Sequence, residues 1–314
     1  MGEMVGAAMQ HGTLITWGTE IRQWRVGLPI PTVLVAGGGP RGEGGCIVDS
    51  GSSNRGIVVQ EGVPFGNLVL RRAPRWTAEK LDTNVQMHDC VATRLGGKAG
   101  IVVVHRYAQV RFYVPPEGPG DRWTYRELYS IYTPSRQGGL LMAKRGFVVG
   151  NYWMEPSPDP EQSWREFAIN TYSETPDSAT MRLAWLGQDL VVAQGHMAEA
   201  RLARFTGAPG QNQLWFEQRL GESLHLRYLH GLSADGERFI VGENAGPGSR
   251  LFLFPADNAA PVLIGTTNGI HSAFLMRNVA VTVGATEIRR WNISGEDTRR
   301  RPESNPPGAA RKSQ

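Results

Sequence analysis

Cysteine is nearly absent from this chain, with two residues, Cys46 and Cys90, in 314. Both fall inside apolar strand patterns, so they read as small buried core residues rather than as a disulfide or a nucleophile. They offer no spacing for a structural zinc. No stretch approaches the ~18 apolar residues of a membrane span. The opening MGEMVGAAMQHGTLITW has neither the basic start nor the apolar run of a signal peptide. A soluble cytoplasmic protein with no membrane partner is therefore expected. Gly-x-Ser-x-Gly, the turn that presents a hydrolase serine, does not occur. The Gly-rich run from Ala36 to Gly45 lacks the Lys-Ser/Thr of a phosphate loop and precedes no helix, so it reads as a loop overhanging whatever site lies beside it. Charge of one sign is also scarce. The net charge is only +4 despite a pI near 9.2. The last twenty residues hold five basic and three acidic groups, without aromatic residues between them. That composition reads as a disordered basic tail over 296–314, and a nucleic-acid partner is not expected.

What is present is a repeat. The stretch Arg75 to Tyr113 reads as one structural unit: a Trp-led strand (Trp76 to Leu81), an apolar strand (Cys90 to Leu95), a Gly-rich turn, a Val-rich strand (Ile101 to Val104) and an alternating strand (Val110 to Tyr113). Short runs of β-branched and aromatic residues bounded by Gly are the strand signal. The Trp-led strand recurs at Trp123, Trp164 and Trp215. The Val-rich strand recurs at Leu14-Ile15, Ile57–Val59, Phe147–Val149, Leu190–Val192, Phe239–Val241 and Val279–Val281. An Arg two residues before an aromatic marks a further strand at Arg22/Trp24, Arg111/Tyr113, Arg250/Phe252 and Arg289/Trp291. GCIVDSGSSNRGIVVQ (Gly45 to Gln60) lies without gaps on DCVATRLGGKAGIVVV (Asp89 to Val104). A period of ~40–50 residues in four short strands is the signature of a β-propeller blade. The count predicts an all-β, seven-bladed propeller of four-stranded antiparallel blades over 1–295. A position that recurs blade by blade serves the repeat, so the Arg and Trp columns read as packing between blades.

The unit His88-Asp89…Leu95, turn, Ile101–Val104, Val110–Tyr113 resembles the FG-GAP or VCBS type of propeller repeat. So do Gln137–Leu141 with Phe147–Trp153, and His230-Gly231-Leu232 with Ile240–Asn244 and Ser249–Phe254. In that family the turn between the first two strands carries a calcium-binding Asp-x-Asp-x-Asp-Gly run. Here the turns are Gly96–Gly100, Lys144-Arg145-Gly146, Gly187-Gln188-Asp189, Asp235-Gly236-Glu237 and Arg277-Asn278. They lack the hard oxygen ligands Ca²⁺ needs, so no calcium is expected in them.

In such a repeat the start of the first strand and the end of the second share one face near the central channel. First-strand starts supply His88, Asp89, Arg136, Gln137, Arg182, His230 and His271. Second-strand ends supply His105, Arg106, Tyr107, Asn151, Tyr152, His196, Glu243 and Asn244. Five of the seven histidines fall in this set. A concave rim of convergent polar groups is the usual place for binding or catalysis. Three chemistries fit. His88, His230 and His271 would converge on Zn²⁺ or another divalent metal, three imidazoles and a water being a catalytic zinc set. Alternatively the rim performs lyase- or isomerase-type proton transfer on an anionic, sugar-like small molecule. A histidine is then the base, Tyr107 or Tyr152 the acid, and Arg106, Arg136 or Arg182 pairs the carboxylate. His105, Gln137, Asn151, His196, Glu243 and Asn244 complete that substrate site. The resemblance favours this reading, since polysaccharide lyases built on related propellers use His, Tyr and Arg in this way. The third reading is a carbohydrate- or protein-binding surface without chemistry, with Tyr107, Tyr152 and Trp153 as stacking groups.

Overall fold

The computed structural model describes residues 4–293 except 11, 26–31, 36–43, 50–54, 63–64, 106–108, 119, 130–138, 144, 151, 157–163, 170–180, 196–199, 208–215 and 256–258. The expected tail over 296–314 lies outside the described residues. Seven antiparallel sheets follow one another along the chain. The first holds β1 (Met4–Gln10), β2 (Thr13–Gly18), β3 (Ile21–Arg25) and β4 (Thr32–Val35). The second holds β5 (Gly45–Asp49), β6 (Arg55–Glu61), β7 (Gly66–Arg72) and β8 (Thr77–Val85). The third is β9 (Met87–Leu95), β10 (Lys98–His105), β11 (Val110–Val114) and β12 (Thr124–Tyr129). The fourth is β13 (Leu140–Met142), β14 (Phe147–Val149), β15 (Tyr152–Glu155) and β16 (Arg165–Ala168). The fifth is β17 (Met181–Leu186), β18 (Asp189–Gln194), β19 (Arg201–Thr206) and β20 (Phe216–Leu220). The sixth is β21 (Leu229–Ala234), β22 (Arg238–Glu243), β23 (Ser249–Pro255) and β24 (Val262–Thr267). The seventh holds β25 (Ser272–Met276), β26 (Val279–Val283) and β27 (Ile288–Asn292), three strands rather than the expected four among the described residues.

The second strand of each sheet explains why the blades stack. In β10, Ile101 and Val103 enter a buried cluster with the second blade, while Val102 and Val104 enter one with the fourth. In β18, Val191 and Ala193 face the sixth blade, and Leu190 and Val192 face the fourth. Successive side chains of a strand point to opposite faces. An unbroken apolar run therefore belongs to a strand covered on both sides. Every seam has such a cluster, including the one joining the seventh blade to the first, where Val281 and Val283 meet Met4, Leu14 and Trp24. The first strands touch in the cyclic order β1, β5, β9, β13, β17, β21, β25 and back to β1. The Met4 N–H donates to the Ala285 carbonyl at 2.7 Å across that last seam. The ring is closed, and the fold is an all-β seven-bladed propeller.

The repeat has a different phase from the one read off the sequence. The Trp-led strand opens no blade: β8 is the outermost strand of the second blade, paired with β7, and Met87 then starts the next blade. β8 buries few of its residues, as an edge strand does, whereas the first strand lines the channel. Periodicity alone cannot say which strand begins the unit. The described tryptophans of that column, Trp76, Trp123 and Trp164, sit at seams. Trp76 and Trp123 pack against the clusters on either side of the second blade, and the Trp123 indole N–H donates to Glu79 at 2.7 Å.

The reading of Cys46 and Cys90 as separate core residues is corrected. They form a disulfide between β5 and β9, with Cα atoms 5.5 Å apart. The gapless alignment of Gly45–Gln60 on Asp89–Val104 sets Cys46 over Cys90. In a ring, the same position in consecutive first strands is a contact across a seam. That was the signal for the pair.

Candidate functional site

Where the first strands converge they enclose a cavity of about 200 Å³ lined by residues of all seven blades. Ala7, Gly45, Leu140, Leu183, Leu232 and Phe274 supply its small and apolar wall. His88, Asp89, Arg182, His230 and Ser272 supply its polar groups. Each lies at or near the start of a first strand. Gly44 must be glycine for the chain to approach here, because an added Cβ would lie 2.8 Å from the backbone of His88.

Asp89 holds the wall together. Its Oδ1 accepts the Cys90 N–H at 2.8 Å, and its Oδ2 accepts the Leu140 N–H at 2.9 Å from the next blade. Burial pushes its carboxyl above the usual carboxylate range, against the pull of those two amides and of Arg182. The Arg182 Nε donates to the His230 carbonyl at 3.0 Å, joining the fifth and sixth blades. Its outer guanidinium nitrogens have no further protein hydrogen bond among the described residues. One acid, one arginine, two imidazoles and a hydroxyl thus share one small chamber. That set can pair an anion, orient hydroxyl groups and exchange a proton.

The other rim residues divide. His271 directly precedes Ser272, but its amide is tied to the Val283 carbonyl at 2.8 Å and it is not part of the cavity wall. Among the described residues no three His, Cys, Asp or Glu side chains are grouped to hold a metal ion. Tyr152 begins a third strand and faces Tyr129, ring centroids 6.4 Å apart, at the seam between the third and fourth blades. Tyr107, Arg106, Arg136, Gln137, Asn151 and His196 lie outside the described residues. So do most residues of the Gly-rich loop, Ala36 to Glu43, and of these nothing structural follows.

His105 and Glu243 are buried and are not part of the cavity wall. His105 is 4% exposed, and its Nε2 lies 3.0 Å from the Tyr113 hydroxyl. That hydroxyl donates its one proton to Asp82 Oδ2 at 2.6 Å, and Arg111 reaches the same oxygen at 2.9 Å. The imidazole therefore donates from Nε2. Burial, reinforced by Arg111, pulls its pKa down to about 4. The carboxylate of Glu243 is fully buried and accepts four hydrogen bonds. They come from the amides of Arg227 and Arg250, both at 3.1 Å, and from the Arg250 guanidinium at 2.8 and 2.6 Å. It has no capacity left for a ligand. Asn244 follows it, with its amide bonded to the Tyr228 carbonyl at 2.8 Å and its side chain half-buried.

No family model matches the chain, and no curated protein matches it. Among solved structures it is similar to Raptor of Chaetomium thermophilum, with a TM-score of 0.62 and 11% identity over 94% of this chain and 28% of that one. It is similar to the β-propeller domain of Myceliophteria thermophila Cps50 (Swd1), TM-score 0.59 and 9% identity, over 94% of this chain and 97% of that one. YCF48 from Cyanidioschyzon merolae gives a TM-score of 0.59 and 12% identity over 92% and 95%. At such identities the likeness shows the fold alone.

Proposed function

We propose that the central cavity binds a small anionic, hydroxylated molecule and performs lyase- or isomerase-type proton transfer on it. The observation that carries this reading is the single chamber of about 200 Å³ in which Arg182, Asp89, His88 and His230 come together. Arg182 pairs the carboxylate, which also acidifies the neighbouring C–H by neutralising charge as it develops. His88 takes that proton as base. The electrons form a C=C bond as the hydroxyl on the next carbon leaves. The raised carboxyl of Asp89 protonates that hydroxyl, so that water departs. Asp89 takes the acid role in this reading because it stands in the chamber, whereas Tyr152 stands at a seam and Tyr107 lies outside the described residues. The FG-GAP-like repeat supports the reading only as a scaffold, since function belongs to the site and not to the fold. Disulfides persist mainly in oxidising compartments, so the Cys46–Cys90 bond weighs against a cytoplasmic location.

The test is hydrogen–deuterium exchange and dehydration across a panel of sugar acids, followed by NMR. His88→Ala and Asp89→Asn are expected to lower the rate by at least ~100-fold while the affinity changes little. Binding without exchange on any sugar acid would make the propeller a binding module. Equal rates in the variants would remove these residues from the chemistry.

A further inference from the structure

Six blades carry an outer strand over their third strand, and the seventh does not among the described residues. Among the described residues its third strand, β27, therefore presents an edge. An unpaired edge offers alternate N–H and C=O groups to any chain that can extend along it. The complete blades show what this position accepts. In the second blade Arg72 on the third strand meets Glu79 on the outer strand at 3.3 Å. In the fifth, Arg201 on the third strand is ion-paired with Glu217 on the outer one. In the fourth the polarity is reversed, Glu155 facing Arg165 at 3.5 Å.

On β27, Ile288 and Arg290 look toward the first blade, and Trp291 looks toward the sixth. Arg290 is exposed and has no acidic partner among the described residues, whereas Arg289 is held by Glu287 at 2.9 Å. On the sixth-blade side the Trp291 ring lies over Gly265 of β24, a strand that also carries the exposed Leu263. A strand entering here would set an acid against Arg290 on one face and apolar residues beside Trp291 on the other.

We propose that the outer edge of β27 docks an extended segment of a partner protein in which acidic and apolar residues alternate, added as the fourth strand of the seventh blade. Arg290 selects the acid by charge, and Trp291 with Leu263 receives the apolar positions. The residues that follow β27 in this chain, Ser294 to Gln314, contain three prolines and no β-branched residue other than Thr298. They do not alternate in the required way.

The probe is a short fluorescent peptide alternating glutamate and valine, with a lysine–valine peptide as control, titrated onto the full chain. The acidic peptide is expected to bind and to protect the amides of 288–292 from hydrogen exchange. Arg290→Glu should weaken it by about two- to fivefold or more, the worth of one exposed ion pair, and turn the preference toward the lysine peptide. Equal binding of both peptides, or protection elsewhere than on β27, would overturn the proposal. So would binding seen only in a chain truncated after Ile293, because residues 294–314 would then hold the edge themselves.

Discussion

His105 illustrates how one side chain converts burial into pH dependence. Its imidazole is held neutral among Tyr113, Arg111 and His88, with Asp82 opposing the shift. Its folded pKa, about 4, lies below the value of 6.5 expected for the unfolded chain. The unfolded state therefore takes up the proton first. The stabilisation is complete above pH ~6.5 and is lost as pH falls toward ~4, amounting to about 3 kcal/mol. Denaturant titrations between pH 7 and 4 should show a steep loss of stability that His105→Gln flattens. An unchanged slope in that variant would place the titration elsewhere. Sequence reasoning placed His105 and Glu243 at the ends of second strands, and both are there. It could not see that the imidazole bonds to Tyr113, or that Arg250 closes over Glu243, because strand position does not give side-chain direction. His88 and His230 were legible because a residue starting a first strand has the channel as its neighbour. Ser272 was missed: a serine after a histidine carries no signal by itself.

At the scale of strands, the Val-rich runs were the clearest part of the chain. A strand covered on both sides cannot alternate, so all seven second strands announced themselves as continuous apolar segments. The outer strands are exposed on one side, and their pattern left the phase of the unit open. The disulfide joins two first strands, and the loop it closes spans 44 residues. Constraint of the unfolded chain by such a loop is worth about 4 kcal/mol on the chain-entropy model. The Cys46→Ser/Cys90→Ser double variant should unfold at correspondingly lower denaturant. The unmodified protein, denatured without reductant, should take up no alkylating reagent. Alkylation of both cysteines would remove the bond from the account.

The whole molecule is a ring in which seven separate strands meet around one chamber. That arrangement follows from the repeat count and the doubly covered second strands. The chamber's chemistry follows only from which residues happen to start each first strand. The most direct measurement is an NMR titration of side-chain-labelled histidines with the tightest-binding sugar acid. The His88 and His230 resonances are expected to move together with one dissociation constant, His105, outside the cavity wall, is expected to move less, and Arg182→Ala should abolish the shifts in a chain that still folds, although it also loses the bond to the His230 carbonyl. Separate midpoints for His88 and His230, or shifts that survive loss of Arg182, would contradict a single anion-binding chamber.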